Sequence, residues 1–81
     1  MKIKYVVWSV GFDGKGNYIN NVRDGFINVS KFNVGCCMEG FYEDNEFSWS
    51  ENEDGFKFNG SKNSIVVEGI DGYERWVFIK E

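Results

Sequence analysis

Phe26-Ile27-Asn28-Val29-Ser30-Lys31-Phe32-Asn33-Val34-Gly35-Cys36-Cys37-Met38-Glu39-Gly40-Phe41-Tyr42 is the stretch on which the fold class turns. Its apolar residues change phase, with Ile27 and Val29 on one parity and Phe32 and Val34 on the other. Alternation of this kind marks half-buried strands. The stretch therefore reads as two strands, Phe26 to Val34 and Cys36 to Tyr42, and a bulge near Ser30-Lys31 accounts for the phase change. A one-turn helix capped by Ser30 and ended by Gly35 is the alternative. Composition decides for strands. Ala, Leu, Thr, Gln, His and Pro are all absent, whereas Val, Ile, Phe, Tyr and Trp together number 30. The best apolar helix formers are missing and the best strand formers are abundant.

Outward from this stretch the punctuation is regular. Asp-Gly occurs at Asp13-Gly14, Asp24-Gly25, Asp54-Gly55 and Asp71-Gly72, a dipeptide suited to the positive φ of tight hairpin turns. Ile70-Asp71-Gly72-Tyr73 and Val22-Arg23-Asp24-Gly25-Phe26 read as hairpins, and Asn59 to Asn63 as a longer turn. The remaining strand-like runs are Lys2 to Phe12, Asn17 to Val22, Glu46 to Ser50, Gly55 to Asn59, Asn63 to Ile70 and Tyr73 to Lys80, some of them pieces of one bent strand. Tyr5-Val6-Val7-Trp8 and Trp76-Val77-Phe78-Ile79 are apolar on both faces, which places the first and last strands in the interior of a small barrel or sandwich; the alternative is that one of their faces meets a partner chain. The expectation is a single all-β domain over 1–81. It is a small antiparallel barrel or sandwich of six or seven short strands, mostly hairpin-connected, with at most one short helical turn.

With 81 residues and no His, Ser-His-Asp and Cys-His catalysis is excluded. The only cysteines, Cys36 and Cys37, are adjacent; they fill no tetrahedral zinc site and form no disulfide framework, so free thiols are expected. Phe12-Asp13-Gly14-Lys15-Gly16-Asn17 has part of a calcium loop's composition but not its register, since Gly11 stands where the first carboxylate belongs. No catalytic residue, metal site or cofactor is expected, and the chain is read as a non-enzyme. No run approaches the ~18 apolar residues of a membrane span, and Met1 to Val10 is too short for a signal peptide. A cytoplasmic protein of a bacterial host is the expectation. Residues with A/T-rich codons (Phe, Tyr, Met, Ile, Asn, Lys) number 36 and those with G/C-rich codons (Gly, Ala, Arg, Pro) number 12, as in an AT-rich bacterium, its phage or a mobile element.

The charge map is the most informative feature. Phe32 to Phe56 contains no Lys or Arg but holds Glu39, Glu43, Asp44, Glu46, Glu51, Glu53 and Asp54, a net of −7; the remainder, with six acids and nine bases, is +3. Aromatic Phe47 and Trp49 lie within the window. In an extended segment Glu51 and Glu53 stand about 6.6 Å apart, a pitch suited to imitating a phosphate backbone. The bland counterpart is a solvated acidic face that aids solubility. The pattern points to a non-catalytic acidic module whose partner is another protein with a basic, nucleic-acid-handling surface. Glu39, Glu43, Asp44, Glu46, Glu51, Glu53 and Asp54 would steer the encounter and Phe47 and Trp49 would anchor it. Direct binding of nucleic acid through this face is excluded by its sign. The concrete version is a phage or mobile-element inhibitor of a host defence system, of the anti-CRISPR kind. Two alternatives stand beside it. One is a small β-barrel binding a nucleotide or glycan through Asn17, Asn20, Asn21 and Asn59 with Arg23, Lys62 and Arg75. The other is a self-associating structural module, a homodimer formed by sheet packing or edge pairing.

Overall fold

The computed structural model describes residues 1–45, 56–70 and 72–81. Among them are β1 (Lys2–Phe12), β2 (Tyr18–Asn28), α1 (Val34–Asp44), β3 (Phe56–Gly60), β4 (Ser64–Gly69) and β5 (Glu74–Lys80). The strands form one antiparallel sheet in the order β2-β1-β5-β4-β3. The first and last strands are inner strands of this sheet, but described elements cover only one face of each, so they are not enclosed in a barrel or sandwich. The barrel or sandwich of six or seven strands is not what forms: the described strands number five, and β2 and β3 are free edges of an open sheet.

The larger correction concerns the stretch from Phe26 to Tyr42. β2 ends at Asn28, and Val29 is tied to the N-terminus, its N–H donating to Met1 O at 3.0 Å. The phase change is therefore the end of a strand and not a bulge. The chain then enters an 11-residue helix, so the expected strand Cys36 to Tyr42 and the limit of one helical turn are both overturned. The cap is Asn33, not Ser30: Asn33 Oδ1 accepts the Cys36 N–H at 2.8 Å, and Asn33 itself is extended. Gly35 lies in the first turn instead of ending the helix. A helix with no Ala or Leu and with two glycines has little intrinsic stability. Tertiary packing supplies it: Cys37, Met38 and Phe41, at helical spacing, are buried against the sheet. Gly40 brings the helix onto β2; a Cβ there would sit 3.2 Å from Ile27 Cδ1.

The sheet's covered face carries Ile3, Tyr5 and Val7 of β1, Ile27 of β2, Ile65 and Val67 of β4, and Trp76 and Phe78 of β5, all buried. The strand register places Lys4, Val6 and Trp8, Val22, Asp24 and Phe26, Val66 and Glu68, and Arg75, Val77 and Ile79 on the opposite face. No described element packs over that face.

Asp24-Gly25 lies within β2, where Gly25 pairs with Tyr5, and not in a turn. The other Asp-Gly signals describe their loops better. Gly14 and Gly16 have φ of 82° and 89° between β1 and β2, and Gly72 has φ of 79° between β4 and β5. Asp71 and Asp54-Gly55 lie outside the described residues, as does the expected strand Glu46 to Ser50.

Candidate functional site

Of the nine residues singled out, Glu39, Glu43 and Asp44 are placed, and they sit on α1 rather than on a strand or loop. Glu46, Phe47, Trp49, Glu51, Glu53 and Asp54 lie outside the described residues. Glu39 and Glu43 are exposed and one turn apart on the flank of α1 that faces β2. Four residues of helix separate them by about 6 Å along the axis, close to the pitch expected of Glu51 and Glu53. Glu43 and Asp44 line a groove of about 360 Å³ with Phe26, Ile27, Asn28 and Gly40. A shallower depression of about 160 Å³ continues it past Glu39, Ser30 and Cys36. The acidic flank thus runs beside the edge strand β2.

The C-terminal end of α1 is fixed by Tyr5 and Asn45, which the sequence did not single out, and by Arg23, which it offered only as a cation for a nucleotide or glycan. Tyr5 Oη donates to Asp44 Oδ2 at 2.8 Å. Arg23 Nη1 donates to Asn45 Oδ1 at 2.7 Å. Asn45 Nδ2 in turn donates to the Phe41 carbonyl at 2.8 Å, capping the helix. Burial raises the Tyr5 phenol above its usual range, and the bond to Asp44 adds to this; Asn45 and Arg23 act the other way. The space for the Tyr5 ring exists because Gly25 has no side chain: a Cβ there would lie 2.5 Å from Tyr5 Oη. The only available signal was an Asp-Gly inside an otherwise strand-like run, and turn chemistry explained it too readily.

Asp44 is thus partly committed to structure, whereas Glu39 and Glu43 are exposed without a described ion pair. Glu43 and Asp44 also occupy the last turn, which holds no basic residue. Carboxylates there oppose the helix dipole, by about 0.3–1 kcal/mol each when exposed. Glu39 and Glu43 repel each other at i, i+4. These acids are not placed for the stability of the helix.

On the other side of the helix end, a cleft of about 480 Å³ is lined by Val7, Ser9, Asn21, Arg23, Tyr42, Glu74 and Trp76, among others. Trp76 is packed among Phe41, Tyr42 and Phe56, and its Nε1 is buried with no hydrogen-bond partner among the described residues. Of the residues considered for a nucleotide or glycan, only Asn21 and Arg23 reach this cleft. Asn17 is in the β1–β2 turn, where its N–H and side-chain amide donate to Asp13. Asn20 falls on the open face by register. Asn59 and Lys62 are at the β3–β4 hairpin, and Arg75 pairs with Glu68 at 3.6 Å on the open face. The structure does not assemble that set. In the same turn, the Asn17 amide and then the Lys15 N–H hold Asp13 below the usual carboxylate range.

Cys36 and Cys37 are free thiols in the first turns of α1 and not on opposite faces of a strand. Cys37 is fully buried, which pushes its thiol up to about 11, and Cys36 beside it acts in the same direction.

Compared with protein-family models, with curated proteins and with solved structures, the chain gives no match in any of the three. No described helix is long and apolar enough to cross a membrane.

Proposed function

We propose that this protein is a non-catalytic binding module whose acidic helix flank docks on a basic surface of another protein. The observation that carries it is the placement of the carboxylates. Glu39 and Glu43 stand exposed one turn apart beside a groove, and Glu43 sits where it costs helix stability. A local rule broken without a structural return marks a functional position. The segment 46–55 adds Glu46, Glu51, Glu53 and Asp54 to the same window, with Phe47 and Trp49 as anchors. A surface that ordinarily holds phosphates is the chemistry such carboxylates fit, so the partner is a nucleic-acid-handling protein. A phage or mobile-element inhibitor of a host defence system, anti-CRISPR-like and acting in the bacterial cytoplasm, is the version that the AT-rich coding and small size favour.

Glu39→Lys/Glu43→Lys tests this. Tagged wild type, exposed to lysate of an AT-rich bacterium at low salt, should retain a DNA- or RNA-binding protein. That protein should be released by added duplex DNA and by salt, because exposed charges are screened within about 8 Å at physiological ionic strength. The double variant should lose it. Glu43→Lys alone should melt about 4–8 °C higher, since it removes a repulsive pair and a dipole penalty totalling about 1 kcal/mol. Glu43→Lys, more stable yet retaining less of that protein than wild type, is the expected signature. Equal retention by wild type and double variant would refute the acidic flank as the binding surface.

A further inference from the structure

We propose that the sheet face over which no described element packs is the interface of a homodimer, the two copies packing sheet against sheet. The strand register defines this face row by row. One row runs across all five strands as Asp24-Val6-Val77-Val66-Asn59, and the next as Val22-Trp8-Arg75-Glu68-Lys57. Above them Phe26, Lys4, Ile79 and Ser64 form a third. The middle row is apolar across the three inner strands, at Val6, Val77 and Val66; Asp24 and Lys57 stand on the two edge strands, and Lys4, Arg75 and Glu68 flank the middle row on the inner strands. Val22 is 71% exposed, Phe26 49% and Ile79 40%, and Val6, Trp8, Val66 and Val77 are half-buried with no described element above them. Monomeric proteins seldom leave so continuous an apolar surface to water.

Two features select a second copy of this chain as the occupant. The first is area. Five strands about 4.8 Å apart, with seven residues each from the overlapping parts of β2, β1 and β5, six from β4 and five from β3, rising about 3.3 Å each, give a footprint of about 500 Å² per copy, or about 1,000 Å² in all. That reaches the ~1,000 Å² expected of a specific interface. The second is the distribution of charge. Asp24 is on edge strand β2, Lys57 is on the opposite edge strand β3, and β5 lies midway between them. A two-fold axis running between the sheets along β5 lays β2 over β3 of the second copy. Val77 then meets its own counterpart, Val6 meets Val66 of the second copy, and Asp24 comes within one residue row of Lys57 of the second copy, twice. A two-fold contact must be self-complementary in this way. Arg75 also lies on β5 and meets its own counterpart at the axis; Glu68 of its own chain at 3.6 Å, and Glu68 of the second copy in the same row, offset that repulsion.

Sedimentation velocity of the full chain over 1–200 μM tests the proposal. The expected mass is twice the 9.4 kDa of the chain, falling to that of one chain in Val77→Lys. Val22→Lys, at a site already exposed and set over Lys57 of the second copy, should weaken the dimer at least tenfold with an unchanged far-UV circular dichroism spectrum. Asp24→Lys should weaken it as well, and Asp24→Lys/Lys57→Glu should restore it. A wild type that stays monomeric at 200 μM overturns the proposal. So does a dimer indifferent to Val77→Lys and Val22→Lys, which would be held by pairing of the β2 or β3 edges. If Val77→Lys does not fold, the two substitutions at exposed sites and the charge swap decide alone.

Discussion

Gly25→Ala isolates the contact that seats the helix. Gly25 does not have a left-handed φ, so its backbone accepts alanine. In a strand with room, this substitution stabilises by about 0.4–1 kcal/mol through the unfolded chain. Here there is no room: the added Cβ would lie 2.5 Å from Tyr5 Oη, 2.7 Å from Cζ and 2.9 Å from Cε2. The ring must move, at an overpacking cost of about 1–3 kcal/mol, and its bond to Asp44 is then lost. Against the entropic gain, the net loss should be about 2–3 kcal/mol, a fall in Tm on the order of 10–20 °C for a domain this size. Thermal and urea denaturation followed by circular dichroism measure it. The partner background makes the test specific. In Tyr5→Phe the ring remains, and Gly25→Ala should still destabilise. In Tyr5→Leu the obstacle is gone, and Gly25→Ala should become neutral or stabilising. An equal cost in all three backgrounds would refute the steric account and return Gly25 to a backbone role.

Two further outcomes follow from the same anchors. Asn33→Ala removes the side-chain acceptor of the Cys36 N–H and should cost about 1 kcal/mol, read as a lower urea midpoint at unchanged slope. Alkaline pH should also destabilise the fold. Cys37 ionises near 9.0 when unfolded and at about 11 when folded, so its contribution is complete below pH 9 and is lost as pH rises towards 11. Two units correspond to about 2–3 kcal/mol. Tyr5, also raised, adds to the loss at the upper end of that window. Urea midpoints at pH 7.5, 9 and 10.5 should fall in wild type and fall less in Cys37→Ala; parallel curves would contradict the assignment to Cys37.

Much of the sheet was legible because its signals are local. Lys2 to Phe12 was placed in full, and the runs near 56–60, 64–69 and 74–80 were found to within a residue or two, since each pairs alternation with nearby turn chemistry. The doubly apolar character of β1 and β5 marked them as central strands, though of a barrel or sandwich that does not form. The helix was illegible for the converse reason. Val34–Asp44 has poor propensity throughout, and what makes it helical is Cys37, Met38 and Phe41 finding the face of Ile3, Tyr5 and Val7, far away in sequence. Asn33 is a sound cap, but it lies inside the strand-like run Phe26 to Val34, whose alternation hides it. Asp24-Gly25 failed similarly: the same dipeptide serves a turn by its φ and a strand by its emptiness, and only the cross-strand partner Tyr5 distinguishes them. Of the site, the −7 window was visible as composition. That Glu43 and Asp44 stand at the unfavourable end of a helix could not be seen before the helix was known.

The acidic flank and the apolar sheet face make different demands on the chain, and the architecture lets both be met. α1 lies on the face lined by Ile3, Tyr5, Val7, Trp76 and Phe78, whereas Val6, Trp8, Val66 and Val77 point the other way. Two sheets packed through that second face would carry their helices on the outside. Glu39 and Glu43 of both copies would then remain open to a partner, and the dimer would be bivalent, which raises apparent affinity without any new contact when both sites can be engaged. Charge argues for the same division of labour. Carboxylates on the outer flanks repel only weakly across two sheets, where screening is effective beyond about 8 Å. On the packed face they would face one another. On the two proposals, the sheet face, where Lys4, Lys57 and Arg75 outnumber Asp24 and Glu68, would serve the second copy, and the carboxylates of the helix flank would serve the basic partner.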